Sequence, residues 1–277
     1  MNQAALNLYL VRHGETEANV DIALHLTKAD HAMRLTARGR TQAVNAGAAL
    51  ARRLATEREA EGAAFGSIRL WHSPYYRARE TAGLILKALA GSIDPAQGMI
   101  SYREEPFLME QKSGLQDGLT DEEFATAYPD AAAYYARHIQ YNGRIYAISP
   151  MGESRMDVVV RVKHVFGTII DDYRTHGIRH VILVNHGATL RACVMGWMRY
   201  SPEWLDAEKN PGNCWIRHLH GARASGYVDG GYIHGEGAPL GNPGATQRML
   251  PDAGEIFMLR PDRPGTIVPH GVKVEGL

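Results

Sequence analysis

Two short apolar runs that each end in His-Gly constrain this chain more than any other feature. Leu6–Val11 runs into Arg12-His13-Gly14, and Val181–Val184 runs into Asn185-His186-Gly187. The first reads as a core strand, and the second, a β-branched and Leu run, as a buried central strand. Successive strand residues point to opposite faces. Arg12 and His13 therefore serve one ligand only if the backbone leaves the strand where they stand. Gly14 permits that turn, because it lacks the Cβ that restricts backbone dihedrals. The result is a guanidinium and an imidazole at the C-terminal edge of a sheet, where α/β proteins collect ligands. A cation beside an imidazole disfavours the protonated ring. The pairing suits a site that binds a dianion and attacks it with neutral nitrogen.

The rest of the pattern alternates strands with helices. Asn19 to Met33 is polar and irregular and reads as a loop over the site. Thr36 caps a long helix over 37–59, and 68–71 is a second strand. Ser73 at the N-cap and Pro74 at N1 open a helix over 75–90. A third strand is expected at 100–103. Thr120-Asp121-Glu122-Glu123 is a capping-box signature, starting a short helix that stops near Pro129, with a second over 130–138. Val158, Val162, Val165, Phe166, Ile169, Ile170 and Tyr173 recur at helical spacing within 153–175. Helix returns over 188–200, and strands are expected at 214–219 and 256–259. This alternation predicts a three-layer α/β/α sandwich with a mostly parallel sheet. Residues 1–277 form one domain in this reading. It carries a helical cap insertion near 105–150 and a Gly-rich loop or hairpin excursion near 221–254.

Composition narrows the function class. Thirty basic and thirty acidic residues give zero formal charge, so anion recognition must be local and no nucleic-acid partner is expected. Cys193 and Cys214 make no disulfide framework or CxxC pair and read as buried thiols. No run approaches a membrane span, and the start of the chain does not read as a signal peptide. The expectation is a cytoplasmic protein with no membrane partner; a homodimer is left open.

Besides the Arg12-His13 turn, three elements can carry chemistry. Gly187 opens a helix whose free amides and dipole favour an anion beside His186. Arg77 falls in the first turn after Ser73-Pro74, where a cation is locally unfavourable and an anion would relieve it. Arg79 lies further round that helix and reads as facing solvent or an acid. Glu110, after the apolar pair Leu108-Met109, is a carboxyl that can protonate a leaving alkoxide, with Glu104, Glu105 and Asp117 as competitors. Taken singly, each has an ordinary structural explanation. The pairs Asp30-His31 and His218-x-His220 are weak metal candidates, better read as surface or strand histidines, and no HExxH or Cys/His cluster occurs.

Taken in order, Arg12-His13-Gly14, Asn19, Ser73-Pro74 with Arg77-Ala78 and Thr81-Ala82, Glu110, Gly152-Glu153-Ser154 and His186-Gly187 resemble the histidine phosphatase superfamily. The resemblance covers roughly 6–219 and is strongest towards its phosphoglycerate mutase-like phosphatases. It implies a phosphoglycerate mutase-like fold and a metal-independent phosphomonoesterase without cofactor, acting on a small-molecule phosphoester. His13 would become phosphohistidine. Arg12, Arg77 and His186 would hold the transferring phosphoryl, and Glu110 would serve as acid and then base. Asn19, Thr16, Gly187 and Ser154 are the expected substrate-binding set. Arg161 reads as a structural ion pair. A mutase, or a non-catalytic scaffold binding a phospholigand, are the alternatives.

Overall fold

The computed structural model describes residues 5–92, 100–222 and 225–241, with two short strands further on. The elements in chain order are β1 (Leu6–Arg12), α1 (Glu17–Val20), α2 (Ala37–Glu61), β2 (Ser67–His72), α3 (Tyr76–Ala90) and β3 (Ile100–Glu104). Then follow α4 (Asp121–Ala127), α5 (Pro129–Asn142), α6 (Arg155–His176), β4 (Ile178–Asn185), α7 (Gly187–Met198), α8 (Pro202–Ala207), β5 (Ile216–Ala222) and β6 (Gly226–His234). Strands β7 (Phe257–Leu259) and β8 (Ile267–Pro269) pair only with each other, antiparallel.

The main sheet has the order β3-β2-β4-β1-β5-β6. Strands β3, β2, β4 and β1 are mutually parallel, and β5 runs antiparallel to both neighbours. The sheet is thus mostly parallel, as expected, with one reversed strand. Period-two alternation sorts the two cores. Leu6, Leu8 and Leu10 of β1, with Val181 and Leu183 of β4, face Val158, Val162, Val165 and Ile169 of α6 and Leu190 and Val194 of α7. Tyr9 and Val11, with Ile182 and Val184, face Ala43, Ala46, Leu50 and Leu54 of α2 and Ala78, Ala82 and Ile85 of α3. Both central strands are buried on both sides, which explains their unbroken apolar sequence.

The chain leaves β1 through α2 on one face and β4 through α7 on the other. Their carboxyl ends lie side by side, with Arg12 opposite Asn185 and the His13 amide donating to the Asn185 carbonyl at 2.9 Å. Connections that part to opposite faces leave a crevice at the strand ends. Both His-Gly turns open into it.

Helix starts largely follow the sequence. Thr36 caps α2 through the Gly39 amide, and Thr120 and Ser154 each form a full capping box, with Glu123 and Asp157. Ser73 does not cap α3. That helix begins at Tyr76 with Tyr75 at its N-cap and no side-chain cap bond. Ser73 lies deeper, at the end of β2, where its hydroxyl meets His186 instead. Residues 19–33 are less irregular than expected, with 3₁₀ turns at Ile22–Leu26 and Asp30–Ala32. Cys214 is outside β5, in a left-handed turn at φ 56° whose amide donates to the Arg12 and His13 carbonyls. The Gly-rich stretch after 221 contributes β6, an edge strand of the main sheet. Buried Arg217 of β5 bonds both oxygens of Asp229 in β6, and Gly230-Gly231 interrupt the apolar alternation that would have marked a strand. Residues 242–254 and Ile256 lie outside the described residues.

Helices α4 and α5 pack on one another within 105–150. Their aromatics divide between burial and solvent. Phe124 is buried, but Tyr128, Tyr134 and Tyr141 are exposed. Tyr135 lines a polar cavity of about 160 Å³ with Gln111, Arg144 and Arg155. Among the described residues, no helix is long and apolar enough to cross a membrane.

Candidate active site

The turn after β1 is fixed by close approach. A Cβ on Gly14 would lie 2.4 Å from the Gly39 carbonyl oxygen at the start of α2, so no larger residue fits. The Gly14 amide donates to Thr81 Oγ1 at 3.1 Å, and that hydroxyl donates to the Arg77 carbonyl at 2.7 Å. The β1 turn and the first turn of α3 are thereby locked together.

His13 is 4% exposed, and its Nδ1 lies 2.8 Å from the Gly14 carbonyl. A carbonyl only accepts, so Nδ1 carries the proton and Nε2 presents its lone pair. Nε2 has no hydrogen-bond partner among the described residues. Burial holds the ring well below the usual imidazole pKa, and the Arg77 and Arg12 charges add to that. The ring is neutral at physiological pH.

His186, fully buried, is the N-cap residue of α7. Its ring centre is 5.1 Å from that of His13, with planes at 62°. Arg77 Nε donates to His186 Nδ1 at 3.1 Å, so the His186 proton sits on Nε2 and is donated to Ser73 Oγ at 2.8 Å. Burial and then Arg77 keep this ring neutral too. The structure brings the two histidines together as expected, yet both nitrogens of His186 are already engaged.

The guanidinia differ in their freedom. Arg12 NH1 donates to the Pro211 carbonyl at 2.6 Å, while its Nε is buried without a partner among the described residues. Arg77 is 5% exposed and ion-paired with Asp30, through NH1 to Oδ1 at 2.7 Å and NH2 to Oδ2 at 3.1 Å. Arg79 faces outward and pairs with Glu104, as its helical position predicted.

Glu110 supplies the anion at the start of α7. Ala188 N and Thr189 N donate to the Glu110 carboxylate at 3.4 and 3.2 Å. The Gln111 amide adds a third bond at 2.9 Å. Arg161 holds the segment from behind, bonding the Phe107 and Glu110 carbonyls and both oxygens of Glu153. The ion-pair reading of Arg161 is thus correct, and Glu153 belongs to that brace. Among the competing acids, Glu104 is tied to Arg79, and Glu105 caps the Phe107 amide.

The expected substrate-binding residues fare unevenly. Thr16 and Asn19 form a capping box on α1, and Asn213 Nδ2 donates to both Asn19 Oδ1 and the His13 carbonyl. Ser154 spends its hydroxyl on the Asp157 amide and carboxylate and is 3% exposed, so it starts a helix rather than lining the site. A Cβ on Gly187 would lie 2.3 Å from Asn210 Oδ1, so a larger residue there would displace the Asn210 side chain. Sequence reasoning missed three contributors. Ser73 was hidden by its cap-like position before proline. Asn213 follows no motif. Asp30 was weighed only for metal, though a carboxylate in a loop over two arginines could have been read as an arginine partner.

Comparison with known proteins agrees with this geometry. Residues 8–229 match the profile of the Histidine phosphatase superfamily (branch 1). The phosphoglycerate mutase-like protein AT74 of Arabidopsis thaliana is 30% identical over 252 residues, covering 88% of this chain and 73% of that protein. Among solved structures, a mycobacterial glucosyl-3-phosphoglycerate phosphatase with VO3 superposes with a TM-score of 0.59 at 22% identity, covering 83% of this chain and 99% of the other. A putative alpha-ribazole-5'-P phosphatase from Escherichia coli K-12 gives 0.58 at 21%, covering 82% and 95%. At that identity the two structures speak for the fold, while the profile spans most of the chain and includes both histidine turns. The chain belongs to the histidine phosphatase superfamily, branch 1.

Proposed function

We propose that this protein is a metal-independent phosphomonoesterase that works through a phosphohistidine on His13. One observation carries the reading: a buried, neutral imidazole whose Nδ1 proton is tied to a carbonyl, leaving the Nε2 lone pair without a partner among the described residues, beside the Arg77 and Arg12 charges. Charge accumulates on the equatorial oxygens of a transferring phosphoryl group, so fixed positive groups near them lower the barrier. Arg12 and Arg77 supply that charge, and their neutralisation of the dianion lets a lone pair approach phosphorus.

In the first step Nε2 forms a bond to phosphorus as the ester P–O bond breaks, and the leaving alkoxide takes a proton from Glu110. In the second step water attacks the phosphohistidine, Glu110 accepts its proton, and inorganic phosphate departs as the N–P bond breaks. What supports Glu110 is its place against the first turn of α7, directly after His186, and its electrostatic reach to Arg12. His186, held neutral between Ser73 and Arg77, fixes the guanidinium that receives the phosphoryl oxygens. The substrate is a small phosphorylated metabolite.

The test is phosphate release from a panel of alkyl and aryl phosphomonoesters, with and without chelator. Turnover that persists with chelator supports the reading. Glu110→Gln is expected to slow alkyl phosphates more than aryl phosphates, since a phenolate leaves without help; equal losses would move the acid role to Asp117. The name of the plant relative favours a mutase as second reading. Isomerisation of 3-phosphoglycerate dependent on a bisphosphate primer, with no phosphate released, would decide for it. Phosphate binding without turnover of any ester would leave a scaffold.

A further inference from the structure

Arg77 has five N–H donors, and four are already used within the chain. Nε–H goes to His186 Nδ1 at 3.1 Å. NH1 donates to the Asp30 backbone carbonyl at 2.6 Å and to Asp30 Oδ1 at 2.7 Å, and NH2 donates to Asp30 Oδ2 at 3.1 Å. A carboxylate thus occupies the planar fork that suits two phosphoryl oxygens. One donor remains, which cannot bind a phosphoryl group bidentately.

Asp30 sits in the 3₁₀ turn Asp30–Ala32, reached through a segment that is lightly held. Ile22 and Leu26 are 64% and 58% exposed, whereas Met33, just after the turn, is fully buried and anchors it. The Asp30 side chain is 24% exposed against 6% for Arg77, so solvent reaches the carboxylate and not the cation. A second partner stands nearby. His25 Nδ1 is 3.7 Å from Asp30 Oδ1 and 3.9 Å from Asp117 Oδ1, buried and without a hydrogen-bond partner. A carboxylate released from Arg77 has that nitrogen to receive it.

Resting on the phosphatase reading above, we propose that Asp30 is an internal competitor for the phosphoryl group. It holds Arg77 in place in the empty site and is displaced from the fork when a phosphomonoester dianion binds. The dianion prevails because it carries more charge and more acceptor oxygens than the carboxylate. Asp30 is therefore a positioning residue that sets phosphoester affinity, since a ligand that needs a minor open state binds more weakly by the fraction open.

The experiment is calorimetric titration of the 277-residue chain with inorganic phosphate, comparing wild type, Asp30→Asn and Arg77→Ala. Asp30→Asn keeps the shape and removes the charge, and is expected to bind phosphate about tenfold more tightly. Arg77→Ala is expected to lose phosphate binding. Hydrogen exchange of the 22–33 segment in wild type supplies a readout that does not depend on a variant folding: saturating phosphate is expected to speed it. If Arg77→Ala loses phosphate and Asp30→Asn loses it as well, Asp30 is a fixed brace and the competitor proposal is overturned while the site reading stands. Unchanged or slowed exchange on adding phosphate to wild type overturns it likewise. If wild type and Asp30→Asn both fail to bind phosphate, the site reading falls and takes the proposal with it.

Discussion

The two strand ends that define this site are built from nearly the same sequence, and they do different work. At the end of β1, His13 gives its Nδ1 proton to the next carbonyl and keeps Nε2 open. At the end of β4, His186 spends one nitrogen on Ser73 and the other on Arg77. Both rings are buried, both lie beside Arg77, and both are held neutral. The difference is second-partner chemistry. A carbonyl one residue away fixes a tautomer and leaves a lone pair available, whereas a hydroxyl on one side and a guanidinium on the other consume both nitrogens. In the proposed reaction the two His-Gly motifs alone do not choose the nucleophile; the hydrogen bonds on the far side of each ring are what favour His13.

Substitutions can break that contrast. His13→Ala is expected to abolish phosphate release, whereas His186→Ala is expected to cost on the order of 10²-fold and still form phosphoenzyme. Equal, complete loss in both, assayed by single-turnover quench, would erase the distinction. Arg77→Ala should also cost on the order of 10²-fold in kcat, because it removes the fork and frees His186 together. Ser73→Ala sharpens the comparison. It deletes the partner of His186 Nε2 and leaves His13 untouched, with an expected loss of about tenfold, the size of one buried hydrogen bond. Arg79→Ala, two residues from Arg77 but exposed and paired with Glu104, is expected to change kcat/KM by less than about twofold.

A second histidine pair shows what burial does without a site. His180 and His218 stack on opposite sides of Tyr9 in the core, at ring distances of 6.4 and 4.8 Å. Burial pushes them down to about 4 and about 3, despite Glu57 near His180. Above about pH 6.5 each is neutral in both folded and unfolded chains, so neither affects stability. As pH falls below that, the unfolded chain takes protons that the folded chain refuses, and stability drops until the folded pKa is reached. For His180 alone the loss by pH 4 is about 3 kcal/mol. Urea unfolding midpoints should therefore fall steadily from pH 7 to pH 5, and His180→Phe should flatten that dependence.

Much of this architecture was legible in the sequence because its signals are local. The buried strands announce themselves as apolar runs, α2 and α4 by Thr36 and Thr120 at their caps, and α6 by apolar residues at helical spacing. His13, His186 and Arg77 follow from strand ends and a helix start. What stayed hidden depends on partners distant in the chain. Ser73 looks like a cap until His186, 113 residues away, is seen to claim its hydroxyl. Glu110, 78 residues from Ala188, takes the α7 amides that the sequence leaves open to a ligand. Strand β6 pairs with β5 through a buried Arg217–Asp229 bond, a polar signal in a place where sequence patterning looks for apolar alternation.

The most direct measurement is rapid acid-free quench of the enzyme during turnover of an aryl phosphate, followed by peptide mapping of bound phosphoryl. The account predicts an acid-labile phosphohistidine at His13, formed within one turnover and missing from His13→Ala. Phosphoryl on His186, or burst-free turnover with no phosphoenzyme at any time, would contradict it.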